Sequence, residues 1–141
     1  MKKPLVTAAA ILIAMSAYSQ QPSVTLPGFT AYAEPSEKHV RIDENKGVSN
    51  WTGNDETVNF YFYAAKKGTI DVALVANAPA ESKLSVSLNG VTKDISIPNS
   101  KSLSTIPVMQ TKIAKPGFYC ISLKGISKKG ATYANIEGIT L

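Results

Sequence analysis

The chain has 141 residues, with fifteen Lys and Arg against ten Asp and Glu, for a net charge of +5. That length allows one domain with a substantial core and is short for two. The basic residues are dispersed lysines with one arginine, Arg41, so no basic face for nucleic acid is built. One cysteine and one histidine, Cys120 and His39, exclude an internal disulfide framework and a Cys/His zinc site.

In chain order, residues 1–19 have the layout of a secretory signal peptide. Lys2 and Lys3 form a positive n-region, Leu5 to Met15 an apolar core, and Ser16, Ala17 and Ser19 supply small residues for cleavage. The apolar run is too short for a membrane anchor. The mature chain is expected to begin near Gln20, as one domain over 20–141 with a net charge of +3. No cysteine lies near the junction, so no lipid is attached there, and the product is periplasmic or extracellular with no membrane anchor after cleavage.

Strand signals then repeat from Val24 to Leu141, and no helix stands out. Thr57 to Ala64 alternates, with Val58, Phe60 and Phe62 on one face and Asn59, Tyr61 and Tyr63 on the other. A Lys66-Lys67-Gly68 turn leads to a strand carrying Ile70, Val72 and Leu74 inward. Lys83 to Ile97 reads as a hairpin: Leu84, Val86 and Leu88 alternate with serines, Asn89-Gly90 tolerates positive φ, and Ile95 and Ile97 return before Pro98 stops the strand. Leu103 to Ile113 is interrupted by Pro107, which predicts an edge position or a bulge. After Pro116-Gly117, Tyr119, Ile121 and Leu123 face inward, while Phe118, Cys120, Ser122 and Lys124 face outward. In the last strand Ile136 and Ile139 both belong inside although their parity differs, so Gly138 between them marks a bulge. Short strands joined by Gly, Pro, Asn and Lys turns, with no intervening helices, predict an all-β fold: a two-sheet antiparallel β-sandwich.

Enzymatic constellations are poorly served. A Cys120–His39 nucleophile pair has no third group to orient it. Carboxylates for glycoside hydrolysis are available at Asp43, Asp55 and Glu56, but all lie in charged, turn-like segments. The more informative segment is Asn50-Trp51-Thr52-Gly53-Asn54-Asp55, which holds the single tryptophan and also fits the N-glycosylation sequon. An exposed indole face suits the C–H surface of a sugar ring, and Asn and Asp side chains suit its hydroxyls. Trp51 is therefore the candidate stacking residue, with Asn50, Asn54 and Asp55 as hydrogen-bond partners. Tyr61 and Tyr63, with Tyr32 and Tyr133, are candidate platforms on the non-core face. The competing reading is that Trp51 plugs one end of the sandwich. A structural calcium ion is the expected cofactor, held by Glu34 and Glu37 near the entry and Asn135 and Glu137 on the final strand, if the first and last strands are neighbours.

Three segments carry a family resemblance together: Gly47-Val48-Ser49-Asn50-Trp51-Thr52 leading to Tyr61-Phe62, the Ser85 to Gly90 turn-bearing strand, and Lys115-Pro116-Gly117-Phe118 running through Gly125 to Ala134-Asn135-Ile136. Over Val24 to Leu141 the pattern resembles an uncharacterised bacterial domain-of-unknown-function family, found at the N-terminus of secreted proteins before a second uncharacterised domain. More distantly it is similar to galactose-binding-like jelly rolls, including calcium-dependent carbohydrate-binding modules. The resemblance implies a jelly-roll fold and a binding role, and it transfers no ligand residue. Two departures stand out: the sequence contains no such partner domain, and Cys120 occupies a position where a polar residue is expected.

The expected function is a secreted, non-catalytic module that binds carbohydrate. The alternative is a structural or protein-interaction module that orients another secreted domain or subunit through Tyr61, Tyr63 and Phe118. A glycoside hydrolase is the third and weakest reading.

Overall fold

The computed structural model describes residues 23–141. The export signal expected over 1–19 and the cleavage point near Gln20 lie outside the described residues. Eleven strands follow one another: β1 Thr25–Pro27, β2 Tyr32–Glu34, β3 Arg41–Asp43, β4 Gly47–Ser49, β5 Thr57–Ala64, β6 Gly68–Asn77, β7 Ser82–Leu88, β8 Val91–Ile97, β9 Ser104–Ile113, β10 Gly117–Lys128 and β11 Asn135–Thr140. Among the described residues the only helical element is a single 3-10 turn, Gly28–Thr30.

The strands form two antiparallel sheets. The first runs β3-β4-β11-β6-β9, with β1 also paired to β11, and the second runs β2-β5-β10-β7-β8. From β4 onward the chain keeps crossing between them, leaving only the β7–β8 hairpin within one sheet. The result is a jelly-roll sandwich whose inner faces must both be apolar. Alternation within each strand supplies those faces. Phe60, Leu74, Leu84, Leu88, Ile97, Ile121, Leu123, Ile136 and Ile139 are all fully buried between the sheets. Phe62 and Ile70, at the ends of their strands, are half-buried against the same core.

Local sequence signals sit where their chemistry requires. Asn89 (φ 51°) and Gly90 (φ 77°) form the two-residue turn that sets Leu88 opposite Val91. Pro107 lies on β9, an edge strand of the first sheet, beside a register shift at Val72–Ala73. Proline has no N–H to give to a further strand, so the edge accommodates it. The β11–β6 register slips between Ile136 and Gly138, which lets Ile136 and Ile139 both point inward.

Trp51 is the plug. Its side chain is fully buried, its ring centroid lies 5.5 Å from that of Tyr133, and the two planes are tilted by 54°. The sequence around it is polar, yet the β4–β5 connection is tied down through its backbone. Thr52 N–H donates to the His39 carbonyl (2.7 Å), and Tyr133 N–H donates to the Trp51 carbonyl (2.8 Å). Lys128 caps the assembly, its Nζ lying 4.5 Å from the Tyr133 ring centre and donating to the Thr52 carbonyl. An indole enclosed in this way has no face to offer a sugar, so the stacking role expected of Trp51 is corrected. Tyr133 is likewise buried and is no outward platform.

Candidate functional site

The described surface has a cleft of about 730 Å³ at the end of the first sheet, where β4 and β6 finish and β11 begins. Its walls come from turns and strand ends. The 3-10 turn contributes Phe29, 49% exposed, and the β3–β4 turn contributes Asn45. The end of β4 contributes Asn50 (φ 48°), and the end of β6 contributes Asn77. Asn135 and Glu137 reach it from β11, and Lys101 and Leu103 close the far rim. Glu44 and Lys46 also line the cleft, so its two acids and two lysines balance.

Backbone close approach makes the cleft. Gly28 and Gly47 both lie against the Ile136 carbonyl, where an added Cβ on either would collide with that oxygen. Gly47 also has φ +66°, a conformation glycine adopts without steric cost. The turn carrying Asn45 is set by Asp43, whose Oδ1 accepts from the N–H groups of Asn45 (3.0 Å) and Lys46 (2.9 Å). The Lys46 N–H bond, with further help from Asn45 N–H and the Arg41 guanidinium, holds the Asp43 carboxyl below its ordinary value.

Inside the cleft the amides are ordered in a chain. Asn135 Nδ2 donates to Asn77 Oδ1 (3.0 Å), and Asn77 Nδ2 donates to the Lys101 carbonyl (2.9 Å). Each amide is thereby oriented, and Asn135 keeps its Oδ1 and second N–H for a ligand. An exposed phenyl ring beside oriented amides is the pairing that a sugar's C–H face and hydroxyls require.

The expected site residues are dispersed. Asn50 reaches the cleft, as do Asn135 and Glu137, which had been expected to hold calcium. Asn54 and Asp55 are exposed on the β4–β5 connection and do not line it. Tyr61 and Tyr63 point outward from the second sheet, 56% and 59% exposed, with Tyr32 and Phe118. The calcium set is also divided. β1 does pair with β11, but Glu34 lies on β2, which joins the opposite sheet beside Thr57, and Glu37 follows it in the next turn. Among the described residues no three His, Cys, Asp or Glu side chains form a metal-binding group. Cys120 is half-buried on the outer face of β10, its Sγ 3.7 Å from Asn59 Oδ1 and 3.6 Å from Ser122 Oγ.

Phe29, Asn45 and Asn77 were missed from sequence. Phe29 follows Pro27-Gly28, and an aromatic set in a turn was the available signal. Asn45 sits in the β3–β4 turn and Asn77 at the end of β6, and only the pairing of β11 with both β4 and β6 gathers them.

The family described as "Domain of unknown function (DUF5077)" matches residues 26–141. No curated protein matches the chain by sequence. Among solved structures, a family 35 carbohydrate binding module from Clostridium thermocellum is similar, with a TM-score of 0.62 at 10% identity over 85% of this chain and 97% of that one. The CBM36-1 domain of a multidomain xylanase from the Trinervitermes trinervoides hindgut metagenome gives 0.64 at 17% identity, over 84% and 95%. A Podospora anserina GH26-CBM35 β-(1,4)-mannanase gives 0.66 at 16% identity over 84% of this chain, which spans 27% of that enzyme. At these identities the likeness is one of fold.

Proposed function

We propose that this chain, which belongs to the DUF5077 family of domains of unknown function, is an exported, non-catalytic module that binds carbohydrate in the cleft at the end of its first sheet. The observation that carries the reading is that one cleft is lined by exposed Phe29 and by the hydrogen-bonded amides of Asn77 and Asn135. Balanced charges around the cleft favour a neutral sugar. The fold likeness to whole carbohydrate-binding modules supports the same reading, since those neighbours are covered over nearly all of their length. Phe29 supplies the stacking face first sought at Trp51, and Asn135 and Asn50 supply polar contacts.

A glycan array that includes mannan and xylan oligosaccharides tests the proposal. It is run with and without a calcium chelator, because Asn135 and Glu137, half of the expected calcium ligands, carry oxygens on the cleft wall. Binding is expected, and Phe29→Ala and Asn135→Ala should each weaken it about ten-fold, the loss of one stacking face or one committed hydrogen bond. Phe29 is exposed, so its loss should move the thermal midpoint little; Asn135 is half-buried and bonded to Asn77, so its loss should cost about 1 kcal/mol of stability. An array without signal, or binding that neither substitution weakens, would overturn the proposal.

A further inference from the structure

The outward face of the second sheet carries a different surface. Tyr63 on β5 is directly opposite Phe118 on β10, their rings 5.1 Å apart and nearly edge-on at 64°. Tyr61 follows two residues along β5 on the same face, about 7 Å away at the strand rise. Tyr32 stands on β2 beside Asn59. All four rings are more than half exposed, and Phe118 reaches 81%.

Beside the rings runs a row of hydroxyl and amide groups. Asn59, Ser122, Ser87 and Thr92 face one another across β5, β10, β7 and β8. Ser122 Oγ donates to Asn59 Oδ1 (2.7 Å), and the Ser87 and Thr92 hydroxyls share a 2.9 Å bond. Three strand spacings make this row about 14 Å long. The charged side chains of this face that flank the row, Glu34, Lys124 and Asp94, lie one register step beyond it; Lys124 and Asp94 stand away from the rings, and Glu34 neighbours Tyr32 on β2.

We propose that this face is a second carbohydrate surface, which takes an extended, neutral polysaccharide chain across the strands. Area and composition select that occupant. The four rings expose roughly 500 Å², short of the ~800 Å² per partner that a stable protein interface buries. The surroundings are Ser, Lys, Asp and Glu, residue types depleted from the cores of protein interfaces. A polysaccharide needs less area: it sets C–H faces on the tyrosines and hydroxyls on the Ser, Thr and Asn row. The uncharged centre matches a ligand without charge.

The surface shares no residue with the Phe29–Asn135 cleft, so the two readings fail separately. Retention of the protein is measured by sedimentation with insoluble cellulose, β-1,4-mannan, β-1,4-xylan and β-1,3-glucan. The comparison uses the natural chain, a Phe29→Ala/Asn135→Ala variant, a Tyr61→Ser/Tyr63→Ser/Phe118→Ser variant, and all five substitutions together. At least one polymer should retain the cleft variant, and the three face substitutions should then weaken that retention at least ten-fold. In the natural chain, the same polymer in soluble form should protect Tyr61 and Tyr63 from nitration, read by mass spectrometry, which needs no variant to fold. Retention of the face variant equal to its parent overturns the proposal, as does no retention of the cleft variant by any polymer. Unprotected tyrosines overturn it too. So does a natural chain that sedimentation velocity finds dimeric and the face variant makes monomeric without change in retention, since the rings would then serve a second copy of the chain.

Discussion

Replacing Trp51 with alanine separates the two roles its sequence context suggested. The side chain is fully enclosed and packs on Tyr133. Burying a tryptophan removes roughly 200 Å² from water, which at about 25 cal/mol/Å² is near 5 kcal/mol. Alanine keeps a small part of that, so a loss of about 3–5 kcal/mol is expected. Such a loss takes a large share of the ~5–15 kcal/mol that holds a domain together. At this size it lowers the midpoint by roughly 10–20 °C. Trp51→Phe is the informative partner. Among the described residues the indole Nε1 has no hydrogen-bond partner, so phenylalanine forfeits no bond there and should cost about 1–2 kcal/mol for lost volume. Urea unfolding followed by circular dichroism measures both, and glycan binding is measured on the folded Trp51→Phe protein. That protein should bind within two-fold of the natural chain. A Trp51→Ala variant that loses binding with under about 1 kcal/mol of destabilisation would refute the enclosed indole and restore it as a contact residue.

Two further outcomes follow from the sequence and the turn chemistry. Asp43 should titrate below the ordinary carboxylate range in the folded chain, because Lys46 N–H and then Asn45 N–H and Arg41 favour its ionised form. Its contribution to stability is full above the unfolded value near 3.9 and is lost as the pH falls through the lower folded value. Carboxyl-carbon NMR titration should show this, and an unshifted Asp43 would remove the explanation for the β3–β4 turn. The mature protein recovered after export should begin near Gln20 by mass spectrometry, and an intact Met1 on exported material would contradict the signal reading.

The sandwich was legible because its cause is local. Alternation at Val58, Phe60 and Ile121, the Asn89-Gly90 turn and the Gly138 parity break each depend on a few adjacent residues, and each is found as read. The cleft depends on topology instead. Asn50, Asn77 and Asn135 meet only because β11 sits between β4 and β6, a pairing across some ninety residues that no local pattern encodes. Trp51 misled for a related reason. Polar neighbours usually mark a solvated loop, but here the His39 carbonyl and the Tyr133 N–H satisfy the loop's backbone, so the chain carries a buried indole through a polar segment. The four residues expected to hold calcium are divided on the same ground. Glu34 and Asn135 lie near the two ends of the fold in sequence, yet the chain enters one sheet with β1 and crosses to the other with β2.

Whether the cleft or the indole contacts sugar is read out by a ¹⁵N NMR titration of the natural chain with mannohexaose and xylohexaose. Saturable shifts of the Asn50, Asn77 and Asn135 side-chain amides are expected with at least one sugar, while the Trp51 indole N–H signal stays in place. Movement of the indole signal with the three amides unchanged, or no shift with either sugar at millimolar concentration, would contradict the cleft reading.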